Sequence, residues 1–224
     1  LAFNGGWNKV KLYFMLGLPT ETEDDMKAIA HLADKIARRY YEIPKDKRNG
    51  KCQIVASTSF FIPKPFTPLQ WAPMCSKDEF QRRAYVVNDR MKEMLNKKSL
   101  KYNYHDPDVS IIEGLLARGD RKISKVIMKV YEKGGIYDAW GEYFNYDRWL
   151  EALEETNTDL DFYTTRQRDL DEVFPWDFID IGVTKSFLKK EWNKAMAGEV
   201  TPNCRMACSG CGASVFKGGV CFED

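Results

Sequence analysis

The stretch Lys11–Asp25, KLYFMLGLPTETEDD, constrains the fold more than any other part of the chain. It begins as an apolar run, Leu12-Tyr13-Phe14-Met15-Leu16, and meets turn chemistry at Gly17 and Pro19. A short continuous apolar run between turn signals predicts a strand over Lys11–Leu16 buried on both faces, as in a parallel sheet. Thr20 with Glu23 reads as a capping box, and Glu21, Glu23, Asp24 and Asp25 place negative charge at the start of the next helix, where the amide dipoles favour it. A buried strand thus ends in a tight turn that feeds a capped helix. In α/β proteins ligands collect at this carboxyl end of the strands.

The pattern continues beyond that unit. Met26, Ile29, Ala30, Ala33, Ile36, Ala37 and Tyr40 fall at helical spacing, with His31 off the stripe and toward solvent. Cys52–Ile62 predicts a second strand, in which Cys52, Ile54, Ala56, Thr58 and Phe60 share a face and Cys52 is a small core residue. Pro63, Pro65 and Pro68 then exclude regular structure through Trp71, and the aromatics among them suggest a packed lid over a cleft. Ser76 with Glu79 is a second capping box for a helix over Ser76–Asn96, striped by Phe80, Ala84, Val87, Met91 and Leu95. A short strand, Leu100–Tyr104, follows. His105-Asp106-Pro107-Asp108 closes a turn ahead of the helix Val109–Ala117.

The pattern breaks at Gly119-Asp120, where Arg118 and Asp120 either bind a ligand carboxylate or fix an interhelix joint. Helices are expected over Ile123–Glu132 and around Trp149, Leu150 and Leu153. Phe174–Ile181 reads as an extended apolar segment. Thr184 caps the helix Lys185–Ala197, with Phe187, Leu188, Trp192 and Met196 inward and a stop at Gly198.

A chain of 224 residues with a formal net charge of +1 predicts one large domain or a domain with an appendage, and argues against a strongly electrostatic partner. No apolar run approaches the roughly 18 residues of a membrane span, and no signal peptide opens the sequence, so a cytoplasmic location is expected. Leu1 is not an initiator Met, which suggests a start inside a longer protein or after processing.

Of six cysteines, Cys204, Cys208, Cys211 and Cys221 crowd the end of the chain. Their C-x3-C-x2-C spacing, with Cys221 beyond a Gly218-Gly219 turn, suggests four thiolates on zinc or a four-iron–four-sulfur cluster. Zinc is preferred, because it needs no redox partner and the Gly-rich hairpin looks like a knuckle.

Four segments carry a resemblance. Phe14–Thr22 resembles the late-strand "GLPGET" motif of radical S-adenosylmethionine (SAM) enzymes, closest to their cobalamin-binding subfamily, with Thr20 where a second Gly is common. Phe61–Trp71 resembles the "FVPKPHTPFQW" loop of one uncharacterised branch, and more distantly the "YSPRPGTPA" loop of radical SAM methylthiotransferases. The Ala117–Lys122 joint resembles that branch's "ARGDRR", and Phe174–Val183 its "FPWDHIDIGV". The likeness extends to the cysteine tail.

The resemblance implies an α/β fold: the C-terminal portion of a partial (β/α)6 barrel at residues 1–105, a helical extension at 106–198 and a metal-binding tail at 199–224. It implies SAM held against a four-iron–four-sulfur cluster, with the adenine side lined by Met15, Leu16, Gly17, Leu18, Phe61 and Ile62. Cleavage of SAM there yields a radical that abstracts hydrogen from a substrate, which the sequence does not identify. The family's cluster motif precedes its other motifs, whereas C-x3-C-x2-C here comes last and reads as an accessory metal site. No upstream cluster motif and no cobalamin domain are present, so N-terminal radical SAM and cobalamin domains of the same protein are the expected partners. No catalytic acid, base or nucleophile stands out. The competing reading is a non-catalytic module whose cysteine knuckle recognises RNA or a protein, with Lys189, Lys190, Lys194 and Arg205 nearby.

Overall fold

The computed structural model describes residues 1–216. The chain forms two compact units. The first takes Leu1–Phe61 and Cys75–Ile111; the second takes Ile62–Met74 and the chain from Ile112 onward.

The first unit is a three-stranded parallel sheet in sequential order. Its elements are β1 (Lys9–Leu16), α1 (Glu23–Tyr41), β2 (Gln53–Phe60), α2 (Lys77–Glu93) and β3 (Leu100–Tyr104). Each strand is joined to the next by a helical crossover, as parallel pairing requires. Register partners fall in rows such as Tyr13, Ser57 and Asn103. The helices cover one face. There Ile54 and Ala56 are wholly buried, and Phe60 stacks on Phe80 of α2 with ring centroids 4.4 Å apart. Buried Met26, Ile29, Ala30, Ala33, Ala37 and Tyr40 follow the predicted stripe of α1.

The expectation that β1 is buried on both faces is not met. Its burial alternates, and Tyr13 and Met15 are 72% and 43% exposed. The reason is that the helices pack on the opposite face, and no element of this unit covers the face that the odd-numbered residues of β1 share.

Two capping expectations also change. The cap of α1 is Thr22, paired reciprocally with Asp25, whereas Thr20 sits in the preceding turn at φ 66°. Ser76 does accept from the Glu79 amide at 3.2 Å, but the Glu79 carboxylate turns to Arg82 and Arg83 instead of closing a box.

The second unit is helical. α3 (Pro107–Arg118), which enters this unit at Ile112, is followed by α4 (Ile123–Glu132), α5 (Tyr146–Glu155), the single turn α6 (Leu160–Tyr163) and α7 (Lys185–Ala197). Ile112, Leu115, Val126, Val130, Trp149 and Leu153 form one core cluster. A second gathers Trp71, Phe174, Trp176 and Leu188. The proline loop is therefore part of a core. Pro68 starts a 3-10 turn, Pro68–Trp71, where the expected irregular loop would run, because proline's fixed φ suits a first helical position. Trp71 is completely buried, so it is a core anchor and not a lid. Gly114 leaves room for this loop: a Cβ there would lie 2.2 Å from the sulfur of Met74.

Phe174–Ile181 is a series of turns rather than an extended segment. The Asp177 carboxylate accepts from the Phe174 amide at 2.8 Å and from Lys185 at 2.5 Å, which folds the segment back. Thr184 caps α7 and Gly198 ends it in the left-handed conformation, as expected. No helix is long and apolar enough to cross a membrane among the described residues.

Candidate functional site

The carboxyl ends of β1 and β2 lie side by side. Leu16 is the register partner of Phe60, and the Phe61 amide donates to the Leu16 carbonyl at 2.7 Å. Met15, Leu16, Gly17, Leu18 and Phe61 thus share one end of the sheet. Met15 and Leu18 are exposed there, whereas Leu16 and Phe61 are buried. Ile62, next in the chain, is buried and begins the second unit.

The turn after Leu16 is built for close packing. Gly17 has φ 89°, which only glycine adopts at little cost. A Cβ on it would fall 2.8 Å from the Phe80 ring and 3.3 Å from the Cys75 sulfur. Its amide donates to the Glu21 carboxylate at 2.8 Å. Glu21 is ion-paired with Arg83, which also donates to Glu79 at 2.7 Å. The Glu21 carboxylate, salt-bridged to Arg83 of α2, therefore pins the turn. Arg82, the largest influence, and Arg83 hold the Glu79 carboxyl down at about 2. Burial raises the Cys75 thiol above its usual value, so it is not an activated nucleophile.

The uncovered sheet face was not anticipated. Rows of register partners bring together Met15 with Ser59, Tyr13 with Ser57 and Asn103, Lys11 with Val55 and Lys101, and Lys9 with Gln53. The signal was present in Lys9-x-Lys11-x-Tyr13-x-Met15, a period-two alternation masked by the apolar residues interleaved with it.

The Arg118–Asp120 break is a joint between helices. Arg118 is 1% exposed and donates to the Thr164 carbonyl at 2.8 Å; Tyr163 donates to Asp120 at 3.1 Å. Arg168, also buried, donates to the Arg118 carbonyl at 3.2 Å and lies over the Phe174 and Trp176 rings. Burial, followed by the nearby Arg168 charge, pulls Arg118 down to about 9, which still leaves it charged at neutral pH. Its Nε and Nη2 have no hydrogen-bond partner among the described residues.

At the tail, Cys204 and Cys208 are exposed and Cys211 is half-buried. The Cys211 carbonyl accepts from the Thr184 amide at 2.9 Å, and its sulfur accepts from the Ala213 amide at 3.4 Å. Among the described residues no three His, Cys, Asp or Glu side chains come close enough to hold a metal. Cys221 lies outside the described residues. His31, expected toward solvent, is exposed and accepts from Arg90 at 3.0 Å. Cys52 is buried, as a small core residue should be.

Comparison with known proteins is sparse. No family model matches the chain, and no solved structure matches it. The chain is similar to an uncharacterized protein of Methanocaldococcus jannaschii, MJ0966, at 32% identity over 127 residues. That match takes in 57% of this chain but only 25% of the relative's length.

Proposed function

We propose that this chain contributes the SAM-facing late strands of a radical SAM enzyme. The single observation that carries the reading is the shared carboxyl end of β1 and β2, where the "GLPTET" turn and the start of the proline loop meet through the Phe61–Leu16 hydrogen bond. Sequential strand order with the helices on one face is also the arrangement of a β/α barrel segment, in which strands follow one another around the axis.

The residues at this end fit the adenine side of SAM. Met15 and Leu18 offer exposed apolar contact, and Gly17 lets the turn between them pack closely on Phe80 and Cys75. Met15–Leu18 and Phe61 would flank the ring, and the Glu21–Arg83 pair would keep the turn in place. When bound, SAM supplies the radical chemistry; the protein supplies placement and exclusion of water. On this reading the ligands of the cluster that would reduce SAM, and any cobalamin site, would come from other domains of the same protein.

We also propose a structural zinc on Cys204, Cys208, Cys211 and Cys221. The amide-to-sulfur hydrogen bond at Cys211 supports it, because such donors stabilise a thiolate. The SAM assignment is tested by equilibrium binding of S-adenosylhomocysteine to the full-length protein. Leu18→Asp should weaken binding at least tenfold while leaving the fold intact, since Leu18 is exposed. Unchanged affinity would remove the adenine assignment.

A further inference from the structure

Within the first unit nothing covers the sheet face that bears Tyr13 and Met15. All-parallel sheets occur almost only with both faces covered, either by helices or by the packed inside of a barrel. This face cannot take an ordinary apolar helix layer. Of Lys9, Lys11, Tyr13, Met15, Gln53, Val55, Ser57, Ser59, Lys101 and Asn103, only Tyr13, Met15 and Val55 have a mainly apolar side chain.

Its charge has one sign. Lys9, Lys11 and Lys101 lie on the face and no carboxylate does. None of the three forms an ion pair among the described residues, whereas many other lysines of the chain do. The cationic track continues past the strand ends. A cavity of about 240 Å³ at the amino end is lined by Lys51, Cys52, Gln53, Lys98, Ser99 and Lys101, again without a carboxylate. The formal net charge of +1 hides this separation, because the acids lie elsewhere.

The polar groups are graded along the strands. Toward the carboxyl end, exposed Tyr13 stands in one row with Ser57 and Asn103. One row toward the amino end, roughly 7 Å away on the same face, come Lys11 and Lys101. The Lys11 ammonium lies 4.8 Å from the Tyr13 ring centroid. An aromatic platform beside neutral hydrogen-bonding groups, with cations one row below, suits a base followed by its phosphate. The lysines beyond the face suit the phosphates that follow.

From this complementarity we infer that the bare face binds single-stranded RNA. One base stacks on Tyr13 and is contacted by Ser57 and Asn103; the backbone runs toward Lys11, Lys101, Lys9 and the Lys51–Lys98 cavity. That the base at Tyr13 is the substrate rests on the proposed function, because it would then lie under the SAM end of the same sheet. The binding itself needs no cofactor.

The test is fluorescence anisotropy of a labelled single-stranded RNA 12-mer with the full-length protein across a salt series. Lys11→Glu with Lys101→Glu should weaken binding at least tenfold and flatten the salt dependence. Tyr13→Ala should weaken it about five- to a hundredfold with the salt slope kept. All three side chains are exposed, and circular dichroism checks that the variants fold. Lys125→Glu, in the second unit, should change little. Wild-type affinity in both variants, absence of binding, or full competition by a mononucleotide at equal nucleotide concentration would overturn the inference. Loss of RNA binding in variants that still bind S-adenosylhomocysteine leaves the SAM reading standing; RNA binding without S-adenosylhomocysteine binding removes only that reading.

Discussion

The Phe61 amide donates to the Leu16 carbonyl at 2.7 Å, one step past the last register pair of β1 and β2. That bond extends the parallel ladder into the two segments where the chain turns away from the sheet. It makes the residues after Leu16 and after Phe60 neighbours, although 44 positions separate Leu16 from Phe60. The backbone at this end is then set by packing on Phe80 and by Glu21.

Gly17 and Thr20 respond oppositely to substitution. Gly17→Ala adds a Cβ at positive φ and 2.8 Å from Phe80, and should cost about 2–4 kcal/mol. Thr20→Gly relieves a β-branched residue at φ 66°, and should gain up to about 1 kcal/mol after glycine's entropy is counted. Urea unfolding midpoints of the two variants decide both signs.

Glu79 makes the first unit sensitive to acid. Its carboxyl is held at about 2, below its ordinary 4.5, chiefly by the hydrogen bonds from Arg82. A depressed folded pKa contributes stability that is complete above the unfolded value and is lost as pH falls toward the folded one. Between about pH 4.5 and 2 the wild type should therefore lose melting temperature faster than Glu79→Gln. Parallel curves for the two proteins over that range would refute this.

Arg118 is a buried cation held by one good acceptor, the Thr164 carbonyl. Arg118→Ala should destabilise by about 2–4 kcal/mol, because it opens a cavity and removes that bond. Arg118→Met should cost less, since its stem refills the space and two unpartnered nitrogens disappear. Denaturant titrations of both variants give the order; a methionine variant less stable than the alanine one would contradict it.

The cysteine tail predicts metal in the purified protein. One zinc per chain is expected by elemental analysis, falling at least tenfold in Cys204→Ser, Cys208→Ser and Cys211→Ser. An absorption band near 400 nm after growth with iron would replace zinc by an iron–sulfur cluster. Metal content that is unchanged in all three variants would remove the site.

Much of the fold was legible because period and punctuation agree. α4 and α7 lie where helical spacing, the Thr184 cap and the Gly198 stop put them, and β3 spans the expected Leu100–Tyr104. What failed depended on long-range partners. Thr20 and Thr22 are both plausible caps locally; Glu21's attachment to Gly17 and Arg83 excludes Thr20. Trp71 read as part of a lid because nothing near it in sequence shows that Phe174 and Trp176 fill the space around it. The bare face was missed for a related reason. An apolar run looks doubly buried until packing shows that the helices cover only one face of the sheet.

Hydrogen exchange of the full-length protein with and without S-adenosylhomocysteine tests the central claim most directly. Slowed exchange should appear together at Leu16–Leu18 and at Phe61, with no comparable change at the amino ends of the strands. Binding that protects only other segments, or slows one of these two and leaves the other unchanged, would contradict a shared adenine site at the carboxyl end of β1 and β2.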